Sequence, residues 1–147
     1  KIGKVVGGDA KQGQILVNRF LTNMPALKSL RNKVQEAGEQ GYIKGLDGRV
    51  FQVRSPHSAL NTLLQGAGAI VCKQWLVSMI SMIKDAGIDA KLVASIHDEY
   101  QFEVKSTDIS KFGQITKEAM TKTQKELDVH CQLDSEWKQG LTWAETH

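Results

Sequence analysis

The chain has 147 residues, 41% of them apolar and 24% charged, with a net charge of +3 and two cysteines. That length is one ordinary domain able to bury a core, and the composition excludes a disordered chain or a disulfide scaffold. Charge is uneven: residues 1–54 carry ten Lys/Arg against four Asp/Glu, and residues 55–147 nine against twelve. The basic first third reads either as a face for an anionic partner or as a solvated surface.

The N-terminal KIGKVVGGDAKQG lacks the apolar block and cleavage site of a secretory leader. Residues 9–23 (DAKQGQILVNRFLTN) place Ile15, Leu16, Phe20 and Leu21 on one helical face. Pro25 opens a second helix, in which Leu27, Leu30 and Val34 recur at helical spacing and Gly38 marks the end. GYIKGLDGRVFQVRS then reads as a hairpin turning at Leu46-Asp47-Gly48.

Ser55-Pro56 supplies a capping hydroxyl and a first-turn proline for one long helix to about Lys84, ended by Gly87. Its apolar stripe is Leu60, Leu63, Leu64, Ala67, Val71, Trp75, Met79 and Met82. The run 55–72 is nearly uncharged, but its polar residues speak against a membrane span. Strands are expected at 91–96 and 100–104, joined at His97-Asp98-Glu99. Ser106 or Thr107 caps a helix over about 108–127, DVHCQLD forms a last strand, and Cys72 and Cys131 read as reduced core thiols. The fold class is α+β, an antiparallel hairpin with helices on one face.

Two constellations carry chemistry. Adjacent carboxylates cannot both point into one apolar layer of a strand, so Asp98 is expected at a hairpin tip with Glu99 beside it. Such a pair suits Mg²⁺, which takes one or two protein carboxylates and completes its shell with phosphates and water; the plain alternative is an acidic turn facing solvent. On the long helix His57, Asn61 and Gln65 stand at i, i+4 and i+8, and no acidic residue occurs between Gly48 and Asp85, where Arg49, Arg54, Lys73 and Lys84 do. Amide donors in a row fit purine N3 and pyrimidine O2, the minor-groove acceptors present in every Watson–Crick pair. They fit water on an ordinary helix surface equally well, and Gly66 and Gly68 serve close approach or helix packing. GDAKQGQ lacks the Lys-Ser/Thr of a phosphate loop, and no Cys/His set has zinc spacing.

Taken in order, RSPHSALNTLLQGAGAIVCKQW, VASIHDEYQFEV and the terminal TWAETH resemble the C-terminal part of a family A (DNA polymerase I-like) DNA polymerase. The likeness is strongest to the replicative enzymes of short-tailed, T-seven-type phages and covers essentially the whole chain, including KIGKVVGG, GLDGRVFQVRSPH and a final Trp-x-x-x-His. The resemblance implies that residues 1–37 are the end of the fingers and 38–147 the palm. It implies that Asp98 is the palm's metal-binding aspartate, that neighbouring Glu99 has a less direct metal role, and that His97 approaches the primer terminus. Asn61 and Gln65 match minor-groove contacts to the primer-template. His57 stands where many bacterial relatives have arginine, and Arg54 and Arg49 join the DNA-facing set.

The function implied is template-directed nucleotidyl transfer with two Mg²⁺ ions, primer-template DNA and dNTP as partners, in the cytoplasm of an infected bacterium and away from membranes. The family's other catalytic aspartate and its nucleotide-binding helix have no counterpart here. The chain is therefore expected to be inactive by itself and to need a complementary polymerase chain or segment. A non-catalytic duplex DNA-binding module is the alternative, and a single-metal nuclease on Asp98 and Glu99 is a third reading with nothing else to support it.

Overall fold

Asp9 starts the first long helix through a reciprocal cap: its carboxylate accepts from the Gln12 backbone N–H at 2.8 Å, and the Gln12 side chain accepts from the Asp9 N–H at 3.2 Å. In the computed structural model, which describes residues 2–146, a short helix α1 (Ile2–Val5) is followed by α2 (Ala10–Asn23) and α3 (Pro25–Gly38). A hairpin of β1 (Tyr42–Lys44) and β2 (Val50–Gln52) comes next. A 3₁₀ turn at Pro56–Ser58 leads into α4 (Ala59–Ala86). The hairpin β3 (Ala90–Ile96) and β4 (Glu99–Val104), a 3₁₀ turn at Ser106–Asp108, α5 (Ile109–Glu126) and α6 (Trp143–Thr146) complete the order. His147, the last residue of the Trp-x-x-x-His pattern, and Lys1 lie outside the described residues. The elements form the α+β arrangement expected.

The chain divides into two compact units, residues 1–44 with 50–64, and residues 45–49 with 65–147. In the first, Val34, Ile43, Val53 and Ala59 are buried, with Phe51, Leu60 and Leu63 packed around them. β1 and β2 pair antiparallel, Ile43 opposite Phe51. Gly48 adopts φ 81° in the intervening turn, which is the conformation a side chain would resist there.

Two expectations need correction in this unit. Of the apolar face drawn on α2 only Leu21 is buried; Ile15, Leu16 and Phe20 are exposed. Gly38 does mark the end of α3, as its last helical residue, pressed on Ala59, and the left-handed position that follows is Gly41 at φ 81°. At the 56–58 turn the Ser58 hydroxyl makes the closing bonds, accepting from the Ser55 N–H at 3.3 Å and donating to the Ser55 carbonyl at 2.8 Å.

The second unit is built on α4 and α5. Trp75, Met79, Ile83, Ile115, Ala119 and Met120 form its buried core, flanked by Tyr100, Phe102 and Phe112. At roughly 1.5–3 kcal/mol per fully buried large apolar side chain, this cluster outweighs any single polar contact in the unit. The Trp75 indole N–H donates to the Thr116 carbonyl at 2.8 Å, so its one polar group is satisfied inside the core. Leu64 on the predicted α4 stripe is exposed, whereas Ser78 is buried beside Met79. Pro56–Ala86 is long and apolar enough, by length and composition, to cross a membrane, with 28% of its most apolar stretch buried. Trp75, Met79 and Ile83 on that helix bury against α5.

β3 and β4 pair antiparallel from Ala90 with Val104 to Ile96 with Glu99, with a bulge at Val93, since Leu92 faces Phe102 and Ala94 faces Gln101. The bulge inserts one residue and sharpens the twist near the turn. Two further expectations fail around α5. Neither Ser106 nor Thr107 caps it; Asp108 stands at its N-cap without a side-chain cap bond, its carboxylate accepting instead from Asp89 N–H at 3.1 Å. DVHCQLD is not a strand. Asp128 takes φ 51°, and the bonds Asp128 N–H to Lys125 O and Val129 N–H to Gln124 O close α5 with a left-handed C-terminal turn. The Gln124 side chain then accepts from Leu133 N–H at 2.8 Å, so side chains hold the tail where a ladder was expected. Cys131 is exposed on this tail and Cys72 half-buried, so neither is a fully buried core thiol.

Candidate functional site

The reversal between β3 and β4 takes only two residues, His97 and Asp98; Glu99 is already in β4, paired with Ile96. This is tighter than the three-residue tip expected. His97 has φ 54°, a left-handed conformation that costs a non-glycine residue about 1–2 kcal/mol. A hairpin loop of this length ordinarily takes glycine or asparagine where φ is positive, so histidine here keeps its side chain against a local penalty. Such an outlier is a pointer to function.

The adjacent carboxylates diverge. Asp98 is exposed in the turn, and it is close enough to Cys72 on α4 for its charge to raise the thiol's pKa, second to burial as a cause. Tyr100, next along β4, packs on Trp75 with ring centroids 5.5 Å apart, and burial pushes its phenol up too. Glu99 is half-buried, and its carboxylate accepts from the side-chain amide of Gln101. The Gln101 carbonyl in turn accepts from the Thr146 hydroxyl at 3.2 Å. Alternation along the strand therefore sends Tyr100 and Phe102 to the helices and Glu99 and Gln101 to the other face. Residues of both faces, Glu99 and Gln101 as well as Tyr100 and Phe102, line one open cleft of about 710 Å³ together with Trp143 and Thr146.

Asp98 at the turn and Glu99 at the first position of β4 are both hard oxygen donors of the kind Mg²⁺ takes from protein, one or two at a time, and here the two side chains diverge. Among the described residues no group of three or more His, Cys, Asp or Glu side chains comes together as a metal cage. A site holding two ions needs further ligands from substrate phosphates and from other carboxylates.

The other predicted residues stand as follows. His57, exposed in the 3₁₀ turn, has its Nδ1 3.1 Å from the side-chain nitrogen of Gln35 on α3. Asn61 and Gln65 are exposed on α4, and Arg54 is exposed just after β2. Arg49 is committed locally: it forms an ion pair with Asp47 at 2.7 Å and holds that carboxyl below its ordinary pKa, chiefly through the side-chain hydrogen bond. The sequence reading missed Gln35, Gln101 and Thr146. Gln101 had a legible signal, since residues two apart on a strand share a face; Gln35 had none, lying 22 positions from its partner.

Residues 1–145 match the family model described as DNA polymerase family A. The chain is 40% identical to the DNA-directed DNA polymerase of Enterobacteria phage T3 and 38% identical to that of Escherichia phage T7. Each alignment covers all of this chain and 24% of the relative. The chain thus spans about a quarter of the length of the curated relatives it matches. In fold it is similar to a solved POL domain of Pol1 from M. smegmatis, in complex with DNA primer-template and dNTP. The TM-score is 0.74 at 19% identity, over 82% of this chain and 24% of that one. By this match along nearly its entire length, the chain belongs to DNA polymerase family A.

Proposed function

We propose that this chain is the palm and adjoining fingers end of a DNA-directed DNA polymerase, with residues 1–37 belonging to the fingers and 38–147 to the palm. Its work is to seat a primer-template and present the metal-binding turn for nucleotidyl transfer. The observation that carries this reading is the two-residue turn, in which strained His97 and exposed Asp98 are followed directly by Glu99 anchored on Gln101.

Asp98 is the principal metal ligand, and Glu99 supports it from the first position of β4. His97 lies next to the primer terminus. Asp98, with Glu99, would hold Mg²⁺, which would supply Lewis-acid activation of a primer 3′-hydroxyl and charge compensation for a departing pyrophosphate. The chain contributes position and charge compensation rather than covalent chemistry. His57, Asn61 and Gln65 donate to minor-groove acceptors, Arg54 meets phosphates, and Arg49 joins it when its pair with Asp47 opens. In this reading Asp98 at the turn and Glu99 at the start of β4 are one part of the metal site, and the 147-residue chain does not polymerise alone. It works with a complementary chain or segment bearing the second carboxylate. It acts in the cytoplasm of an infected bacterium, a reading supported by its likeness to phage enzymes.

Mixing this chain with one bearing the upstream motifs tests the assignment. The pair is expected to extend a primer, and Asp98→Ala to abolish extension; undiminished extension by Asp98→Ala removes Asp98 from the site. The exposed amides of Asn61 and Gln65 on α4 also suit a second reading, a duplex-binding module without chemistry. Salt-dependent duplex binding that is indifferent to Mg²⁺ and to Asp98, with no extension by the mixture, supports that second reading.

A further inference from the structure

The imidazole of His57 can offer a proton from either ring nitrogen, and which one it offers decides whether the residue can serve a base edge. Gln35 bears on this. Its side-chain nitrogen lies 3.1 Å from His57 Nδ1; with the amide in this orientation the NH₂ donates, Nδ1 accepts, and a neutral ring carries its proton on Nε2. The contact depends on close approach of α3 to the 56–59 turn. Gly38, three residues after Gln35 on the same helix, allows it: a Cβ there would stand 2.8 Å from the Ala59 Cβ and 3.5 Å from the Pro56 Cα.

We propose that Gln35 is a positioning residue for duplex recognition, holding His57 in the Nε2–H tautomer so that the exposed ring presents a donor. The proposal rests on the reading of His57 as a duplex contact. Purine N3 and pyrimidine O2 accept hydrogen bonds in every base pair, so the partner atoms need a donor whatever the sequence. In the opposite tautomer Nε2 would be an acceptor facing acceptors, and the contact would be lost. Gln35 therefore acts through His57 and needs no contact with DNA itself.

The test uses the whole 147-residue chain with ¹⁵N-labelled histidine. Long-range ¹H–¹⁵N correlation spectra, recorded where the ring is neutral, report the tautomer directly. Wild type is expected as Nε2–H, Gln35→Leu as a mixture, and Gln35→Glu as Nδ1–H, because a carboxylate accepts where the amide donated. Duplex affinity at fixed salt is expected to fall about two- to tenfold in Gln35→Leu, the worth of one hydrogen bond. In a His57→Ala background Gln35→Leu should cost nothing further. An equal loss in that background makes Gln35 merely structural and overturns the proposal, as does an Nδ1–H tautomer in the wild type. If His57→Ala leaves duplex affinity unchanged while the wild-type ring is Nε2–H, the duplex role of His57 is what failed, and the positioning role falls with it. Thermal unfolding of each variant separates these outcomes from misfolding. A Gln35→Leu chain that does not fold is replaced by Gln35→Glu, for which an inverted tautomer with weakened binding supports the proposal and an inverted tautomer with unchanged binding overturns it.

Discussion

Gly38 lies on Ala59 with no space for a methyl group between them: a Cβ added at Gly38 would stand 2.8 Å from the Ala59 Cβ, which is itself fully buried. Helix propensity alone would favour alanine at position 38 by roughly 1 kcal/mol. The methyl of Ala59 is fixed to the backbone and cannot rotate away, so the clash decides the sign. Gly38→Ala is expected to destabilise the chain by about 1–2 kcal/mol net, as overpacked cores do. Urea unfolding measures it, and a stabilised variant would show that α3 can move off the 56–59 turn at little cost.

Gly68, in the middle of α4, is the converse. Nothing lies within 4 Å of a Cβ added there. Gly68→Ala is expected to stabilise the chain by about 0.5–1 kcal/mol through helix propensity and lost unfolded-state freedom. If this face meets a duplex, the same variant binds DNA more weakly although it melts higher. Calorimetry and a binding titration on one preparation read both effects.

His97→Gly is expected to stabilise the β3–β4 hairpin by about 1–2 kcal/mol, the penalty of a left-handed non-glycine residue. Primer extension by the reconstituted pair should fall, because the side chain that stands at the turn is gone. A variant that is both more stable and fully active would show that the strain at φ 54° serves no function.

Cys72 has a thiol pKa raised first by burial and then by the charge of Asp98. Its contribution to stability is therefore complete below the ordinary thiol range and is lost as pH rises through the raised value. Asp98→Asn removes one of the two causes, and the pKa is expected to move part of the way back. Alkylation rate against pH, in a Cys131→Ser background because Cys131 is exposed, follows the shift. An unchanged profile in Asp98→Asn would place the carboxylate too far from the thiol.

Asp47 holds Arg49 in an exposed ion pair. Asp47→Asn frees that cation, and the slope of log affinity for duplex against log salt is expected to steepen by about 0.9, one phosphate contact. No change in slope would remove Arg49 from the DNA-facing set. The carboxyl of Asp47 titrates below its ordinary value, so the pair persists above the usual carboxylate range and opens only as pH falls through the lowered pKa.

Local signals were strong where a single residue type is required by backbone geometry or capping. Pro25, Ser55-Pro56, Gly48 and Gly87 marked real boundaries, because proline and glycine act through their own φ angles and need no distant partner. DVHCQLD misled for the same reason in reverse. Its residues suit a strand, yet Asp128 adopts the left-handed turn that ends α5, and the Gln124 side chain captures the tail. On α2, helical periodicity identified an apolar face that this chain does not bury.

The amino-acid sequence alone determined the order of the four long helices and the two hairpins, the amide row on α4 and the placing of two adjacent carboxylates at one reversal, since each depends on spacing along the chain. Only tertiary structure decided what those groups do. It separated Asp98, beside Cys72, from Glu99, held by Gln101, and it joined Gln35 to His57 across 22 positions. Such contacts follow from how helices and strands pack, and packing is set by the shape of the whole core, so no local pattern announces them.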